Sequence, residues 1–256
     1  MQQDIVIFAP HQDDEILGAY EIIRQQPEHT YVVFLTNGDY EGAEVAKTRW
    51  HESRKALTYL GVPEDHMIAL GYADTGMPRE VSFLWRLWHE GDQTLVPSHV
   101  GAHTYHPDGG KEYHLAHWGA HAAYTRLAVL ADVRGVLEDI RPGTIYVTNE
   151  DDVHGDHAAA PLFVHAAIDQ MADYTPTIYR YHVHGGDDER WPNRTGDVFE
   201  KPLNLDESQW ESRVSVPVED QKDFLETLES FQSQWRDAEY MTAFIKKEQV
   251  FYREKK

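Results

Sequence analysis

A chain of 256 residues, 41% hydrophobic and 12% aromatic, is long and apolar enough to bury a sizeable core, which excludes a disordered chain. Its 44 acidic against 23 basic side chains give a formal net charge of -21. Such a surface repels phosphate backbones and anionic lipid and argues against a broad nucleic-acid or membrane face. With no cysteine, disulfides and thiolate metal sites are excluded, so any metal must be held by His and carboxylate.

Asp4 to Ala9 is a short run rich in β-branched residues and reads as a buried strand. Pro10 to Asp14 is a polar turn. Glu15 to Gln26 carries Ile16, Leu17, Tyr20, Ile22 and Ile23 at helical spacing until Pro27 stops it. Tyr31 to Leu35 is a second strand, ended by Asn37-Gly38. Ala43 to Leu60 is a helix with Gly61 at its end, and Met67 to Leu70 is a third strand. This alternation predicts an α/β fold: a doubly wound, Rossmann-like, mostly parallel sheet with helices on both faces.

Residues 76–118 break the pattern. They are rich in Gly, Pro, His and Trp, and apart from a short helix over Leu84 to His89 they read as a long loop over the sheet edge. Ala120 to Ile140 is a helix, Thr144 to Thr148 a strand, His157 to Met171 a helix and Thr177 to Val183 a strand. Gly185 to Thr195 is loop-like. Two helical stretches, Asp220 to Gln232 and Glu239 to Arg253, close the chain. No linker separates two units, so residues 1–256 are expected as one α/β domain with an insertion at about 76–118 and C-terminal helices at about 219–253. The N-terminus lacks the basic and long apolar stretches of a signal peptide, and no run of about 18 apolar residues spans a membrane. The expected location is cytoplasmic.

Two polar turns carry the chemistry. Pro10-His11-Gln12-Asp13-Asp14-Glu15 starts at the carboxyl end of the first strand, where open parallel sheets bind ligands. His11 and Asp14 can aim an imidazole and a carboxylate at one point. Taken alone, the motif is better explained by Asp13 capping the next helix and Asp14 favouring its positive end. The second turn, Asn149 to His157, follows another buried strand and contains His154 and His157. Two such clusters at matching strand ends point to a divalent cation held by His11, Asp14 and His157. That set leaves an open position, the catalytic arrangement for zinc, although other divalent transition metals are accommodated. A cation so held activates water, Asp13 is placed to take its proton, and His154, if protonated, to stabilise an oxyanion.

The first motif resembles the Ala-His-Pro-Asp-Asp-Glu signature of the LmbE-like, or PIG-L, deacetylases, and His154-Gly155-Asp156-His157 resembles that family's His-Pro-Asp-His. Leu35 to Asp39, Arg49 with Glu52, Leu60-Gly61-Val62, and Leu70-Gly71-Tyr72 with Asp74 are similar to further family segments. Ser230 to Gln234 and Lys246 to Phe251 resemble its C-terminal helices. The resemblance implies a zinc-dependent N-deacetylase acting on N-acetyl sugars, often N-acetylglucosamine conjugates. His11, Asp14 and His157 are then ligands, Asp13 the base, His154 the oxyanion stabiliser, and Arg49 and Asp74 sugar contacts. The chain departs from the pattern at Gln12 and Gly155, which replace prolines, and at Val153, where some members carry a Tyr.

The expected partner is a small amino-sugar conjugate. Trp85, Trp88, Tyr105, Tyr113 and Trp118, with His99, His103, His106, His114 and His117, are candidates for a specificity lid. Trp85 and Trp88 fit core positions at helical spacing better than a lid, and His114, His117 and His121 fit a solvated or partly buried helix face better than a second metal. Trp191 and Arg190 are candidates for the cleft border. Two other readings stand beside the deacetylase: a different amide or ester hydrolase on the same scaffold, and a non-catalytic carbohydrate-binding protein. The missing Gly-x-Gly-x-x-Gly disfavours a nucleotide-binding oxidoreductase.

Overall fold

The computed structural model describes residues 3–185, 191–202, 205, 208 and 210–255. Strand β1 (Ile5–Ala9) lies in the interior of a seven-stranded sheet. Its apolar run is continuous because both of its faces are buried. Ile5, Ile7 and Ala9 pack with helices α1 (Asp14–Gln25) and α2 (Ala43–Leu60). Val6 and Phe8 pack on the other side with α3 (Phe83–His89), α5 (Arg126–Ile140) and α6 (Gly155–Ile168). A short helix α4 (Tyr113–Trp118) lies between α3 and α5 in the chain.

Strands β2 (Thr30–Thr36) and β3 (Met67–Tyr72) extend the sheet from one side of β1, and β4 (Thr144–Thr148) and β5 (Thr177–Tyr181) from the other, all in parallel. The fold class predicted from strand–helix alternation is the one observed. The far edge is antiparallel: β7 (Glu248–Glu254) pairs with β5, and β6 (Trp210–Pro217) pairs with β7, giving the order β3-β2-β1-β4-β5-β7-β6.

This edge corrects the expected C-terminal helices at about 219–253. Helices α7 (Gln221–Leu228) and α8 (Ala238–Ala243) are present, but the helix expected over Glu239 to Arg253 stops at Ala243. Beyond it, Gln249 to Tyr252 are consecutively buried. All four pair with β6, and Tyr252 pairs with β5 as well, so strand pairing satisfies main chain that Val, Phe and Tyr set in a pleated ladder. β6 shows the period-two pattern of an edge strand, with Trp210, Val214 and Val216 against the core and Arg213 and Ser215 outward. Helix α5 starts at Arg126, capped by the Thr125 side chain, rather than at Ala120. The residues before it are extended, with Ala122 and Tyr124 paired to Thr104 and Ala102.

No helix among the described residues is long and apolar enough to cross a membrane.

Candidate active site

β1 and β4 are neighbours, but the chain leaves β1 towards β2 and β4 towards β5. The loops after them diverge and leave a crevice at the carboxyl ends of the strands. The two motifs occupy those loops. His11 Nδ1 lies 3.1 Å from His157 Nε2, and Asp14 Oδ2 lies 3.3 Å from the first and 3.1 Å from the second. All three side chains are buried. A tetrahedral ion with bonds near 2.0–2.1 Å sets its ligands about 3.3 Å apart, so this triangle fits such a group.

Each imidazole has a carboxylate behind its other nitrogen. His11 Nε2 is 3.3 Å from Asp156 Oδ2, and His157 Nδ1 is 3.3 Å from Asp152 Oδ2. Such partners orient ligating histidines. Sequence spacing did not single out Asp152 or Asp156, although both lie in the second polar turn. Asp152 also accepts the N–H groups of His154 (2.9 Å) and His184 (2.9 Å), and Asp156 Oδ1 accepts that of Leu84 (2.7 Å). Burial alone would lower the pKa of His157, but Asp14 and Asp152 outweigh it and raise it to about 9. Burial of His11 is likewise outweighed, chiefly by Asp74 and Asp14, and its pKa stands well above the usual value. The cluster favours positive charge at its centre.

Asp13 stands just before α1 with φ 133°, a conformation L-residues rarely adopt. Its side chain makes no cap hydrogen bond, so the helix-cap explanation does not hold. The carboxylate instead faces Arg49 Nη2 at 3.3 Å, and its backbone N–H donates to Glu15 Oε2 at 2.8 Å. Burial pushes the Asp13 carboxyl up to about 6 against the opposing pull of Arg49. Arg49 is buried and also donates to the Gln12 carbonyl at 2.8 Å, so it is no surface pair. Asp74 reaches the same pocket, with Oδ2 3.9 Å from His11 Nε2. It is held by Asp39, which accepts its N–H and the Tyr105 hydroxyl (2.7 Å).

His154 caps α6: its Nδ1 accepts the Asp156 N–H at 3.2 Å. The ring proton therefore sits on Nε2. Burial, reinforced by His11 and His157, holds its pKa well below the usual value. Burial thus disfavours the protonated ring on which the expected oxyanion role is conditional, and in the neutral tautomer Nε2–H faces outward as a donor.

The pocket, about 230 Å³, has a far wall that sequence reasoning missed. His184, Gln234, Arg236 and Tyr240 supply it, with the Tyr240 hydroxyl donating to the Val183 carbonyl at 2.9 Å and lying 2.9 Å from His184 Nδ1. None of the aromatic and His residues proposed for a lid in 76–118 lines this pocket. Trp85 and Trp88 pack on the core, and His114, His117 and His121 each face a carboxylate. Trp191 is buried, donating to the His182 carbonyl, and Arg190 lies outside the described residues.

The segment 77–84 nevertheless docks on the second motif. Gly155 N–H donates to the Met77 carbonyl at 3.0 Å, and Arg79 donates to the carbonyls of Glu150 (2.7 Å) and Asp152 (3.2 Å). A Cβ at Gly155 would stand 2.5 Å from Ser82 Cβ and 2.8 Å from Arg79 Cα. This explains the missing proline: it would lose the hydrogen bond and strike the segment.

Fold and site together define a doubly wound α/β protein with a buried His and Asp group at its switch point that is suited to a metal ion. Residues 6–168 match the model of the PIG-L family, described as GlcNAc-PI de-N-acetylase, and the chain belongs to that family. No curated protein matches its sequence. Among solved structures it is similar to a zinc-inhibited form of teicoplanin deacetylase (13% identity, 98% of this chain and 97% of that one, TM-score 0.59). It is also similar to N,N'-diacetylchitobiose deacetylase from Pyrococcus horikoshii (14% identity, 98% and 83%, TM-score 0.56) and to a conserved protein from Thermus thermophilus (16% identity, 95% and 85%, TM-score 0.56). At these identities the likeness concerns the fold.

Proposed function

We propose that this protein is a zinc-dependent N-deacetylase that hydrolyses the acetamide of a small amino-sugar conjugate of the N-acetylglucosamine type, releasing acetate. The observation that carries the proposal is the convergence of His11, Asp14 and His157 in one triangle, with Asp13 and His154 beside it in the same pocket. Family membership and the deacetylases of similar fold, which act on a chitobiose derivative and on teicoplanin, support this reading. His11, Asp14 and His157 would hold the ion. When bound, it supplies Lewis acidity, lowering the pKa of water and polarising the acetyl carbonyl.

The remaining roles belong to side chains. Asp13, held by Arg49 and Glu15, takes a proton from the attacking water and returns it to the departing amine as the amide C–N bond breaks. His154 Nε2–H donates to the carbonyl oxygen as charge builds on it. Arg49 and Asp74 face the pocket as contacts for sugar hydroxyls. The test measures acetate released from N-acetylglucosamine derivatives and from simple acetyl esters, with metal content assayed in parallel. Release from the amides, abolished by a chelator and restored by zinc, is the expected result. Turnover of esters alone, or full activity without metal, would overturn it.

A further inference from the structure

A cavity of about 320 Å³, larger than the catalytic pocket, lies at the other end of the sheet. Its walls are the last turn of α6, residues 174–178 leading into β5, and the end of β7. β5 runs parallel to β4, and β4 to β1, so the start of β5 lies away from the catalytic crevice. The two cavities share no lining residue. Ile168, Tyr174, Pro176 and Ile178 give the second one an apolar side. That side is fixed: the Tyr174 hydroxyl donates to the Pro142 carbonyl at 2.9 Å, and the Arg141 guanidinium lies 5.4 Å over its ring.

The other side carries charge. In a chain of net charge -21, the lining holds two cations, Arg253 and Lys255, against one carboxylate, Glu254. Glu254 is already engaged by buried Arg180 and by His165. The two cations keep unspent donors. Lys255 gives one proton to the neutral Ser208 carbonyl (2.5 Å), and an ammonium has three. Arg253 Nε is buried and faces Glu211 Oε2 at 3.2 Å, with no aligned hydrogen bond among the described residues. A strongly hydrated inorganic anion would leave the apolar side uncovered, and a neutral apolar molecule would leave the donors unmet. A carboxylate on an apolar body satisfies both sides, because ionised donors and a carboxylate make the stronger class of hydrogen bond.

We propose that this cavity is a binding site for a small organic acid, with its apolar body against Ile168, Tyr174, Pro176 and Ile178 and its carboxylate on Lys255 and Arg253. The site is separate from the catalytic centre and stands whatever reaction that centre performs. The probe is 4-phenylbutyrate, titrated by calorimetry into zinc-loaded protein beside 4-phenylbutanol and acetate. The acid is expected to bind at least tenfold more tightly than either, with amide hydrogen exchange slowed in residues 165–178 and 253–255. Thr175 is an exposed residue of the lining, so Thr175→Trp should fill the cavity and abolish binding of the acid. Lys255→Gln should weaken it at least threefold without lowering the melting temperature, and decides alone should Thr175→Trp fail to fold. No binding of the acid, or equal affinity for the alcohol or acetate, overturns the site. So does binding that survives both substitutions, because the acid is then held elsewhere, at the catalytic zinc or on the surface.

Discussion

Asp13 is where chemistry and strain meet. Its positive φ turns the carboxylate away from the helix end and towards Arg49, which a relaxed cap residue would not do. Asn tolerates positive φ comparatively well, so Asp13→Asn should keep the fold while removing the proposed base. Its kcat is expected to fall about 10²- to 10⁴-fold with metal content unchanged, measured by acetate release and elemental analysis. Glu15 is the residue that holds this geometry. Burial pushes its carboxyl up to about 8, so near neutrality it carries a proton while Oε2 accepts the Asp13 N–H. Glu15→Ala strands that N–H and should cost about 1–3 kcal/mol in denaturant melts, along with a drop in kcat. Glu15→Gln, which keeps an acceptor oxygen, should recover most of both.

Between elements, position is passed along hydrogen bonds. The segment 77–84 rests on Gly155, and the Leu84 N–H at the start of α3 holds Asp156, whose other oxygen faces His11. The divergent segment therefore acts on the site from behind. Gly155→Ala brings a methyl within 2.8 Å of the Arg79 main chain, which cannot yield as a flexible side chain does. Overpacking of this kind costs about 1–3 kcal/mol. The expected outcome is a lower melting temperature, with faster amide hydrogen exchange concentrated in residues 77–84. Uniform exchange across the sheet would contradict the docking.

For the molecule as a whole, the antiparallel edge is locked to the parallel sheet by charge. Arg180 on β5 is almost fully buried and pairs with Glu254 on β7, and His165 on α6 lies 3.0 Å from the same carboxylate. Burial alone would raise the pKa of Glu254, but the His165 hydrogen bond and the Arg180 charge outweigh it and lower it. A carboxylate with a depressed folded pKa contributes stability above its unfolded value, about 4.3, and loses it as pH falls through the folded value. Glu254→Gln should therefore cost about 1–3 kcal/mol near neutrality, because it takes the nearest carboxylate from buried Arg180 and leaves it the more distant Glu150 (3.7 Å) and the Thr148 carbonyl. In urea melts the gap between wild type and variant should hold down to the ordinary carboxylate range and shrink below it. A gap that widens on acidification would refute the assignment.

Local pattern was enough to read the parallel half of the sheet and the first motif. Continuous apolar runs, helix stops at Pro27 and Gly61, and polar turns at strand ends are properties of neighbouring residues. The residues His11, Asp13, Asp14, His154 and His157 were legible because a strand end followed by a helix presents its turn to the crevice. Pairing was not legible. The run Gln249 to Tyr252 suits a helix or a strand by composition, and only the open edges of β5 and β6 made it a strand. Nor did spacing reveal Asp152 and Asp156 behind the histidines, or the far wall from His184 and 234–240, because these contacts join segments distant in sequence. The triangle of His11, Asp14 and His157 shows the division. Its residue types were set in two short motifs, but their approach to within 3.1–3.3 Å exists only because β1 and β4 lie side by side.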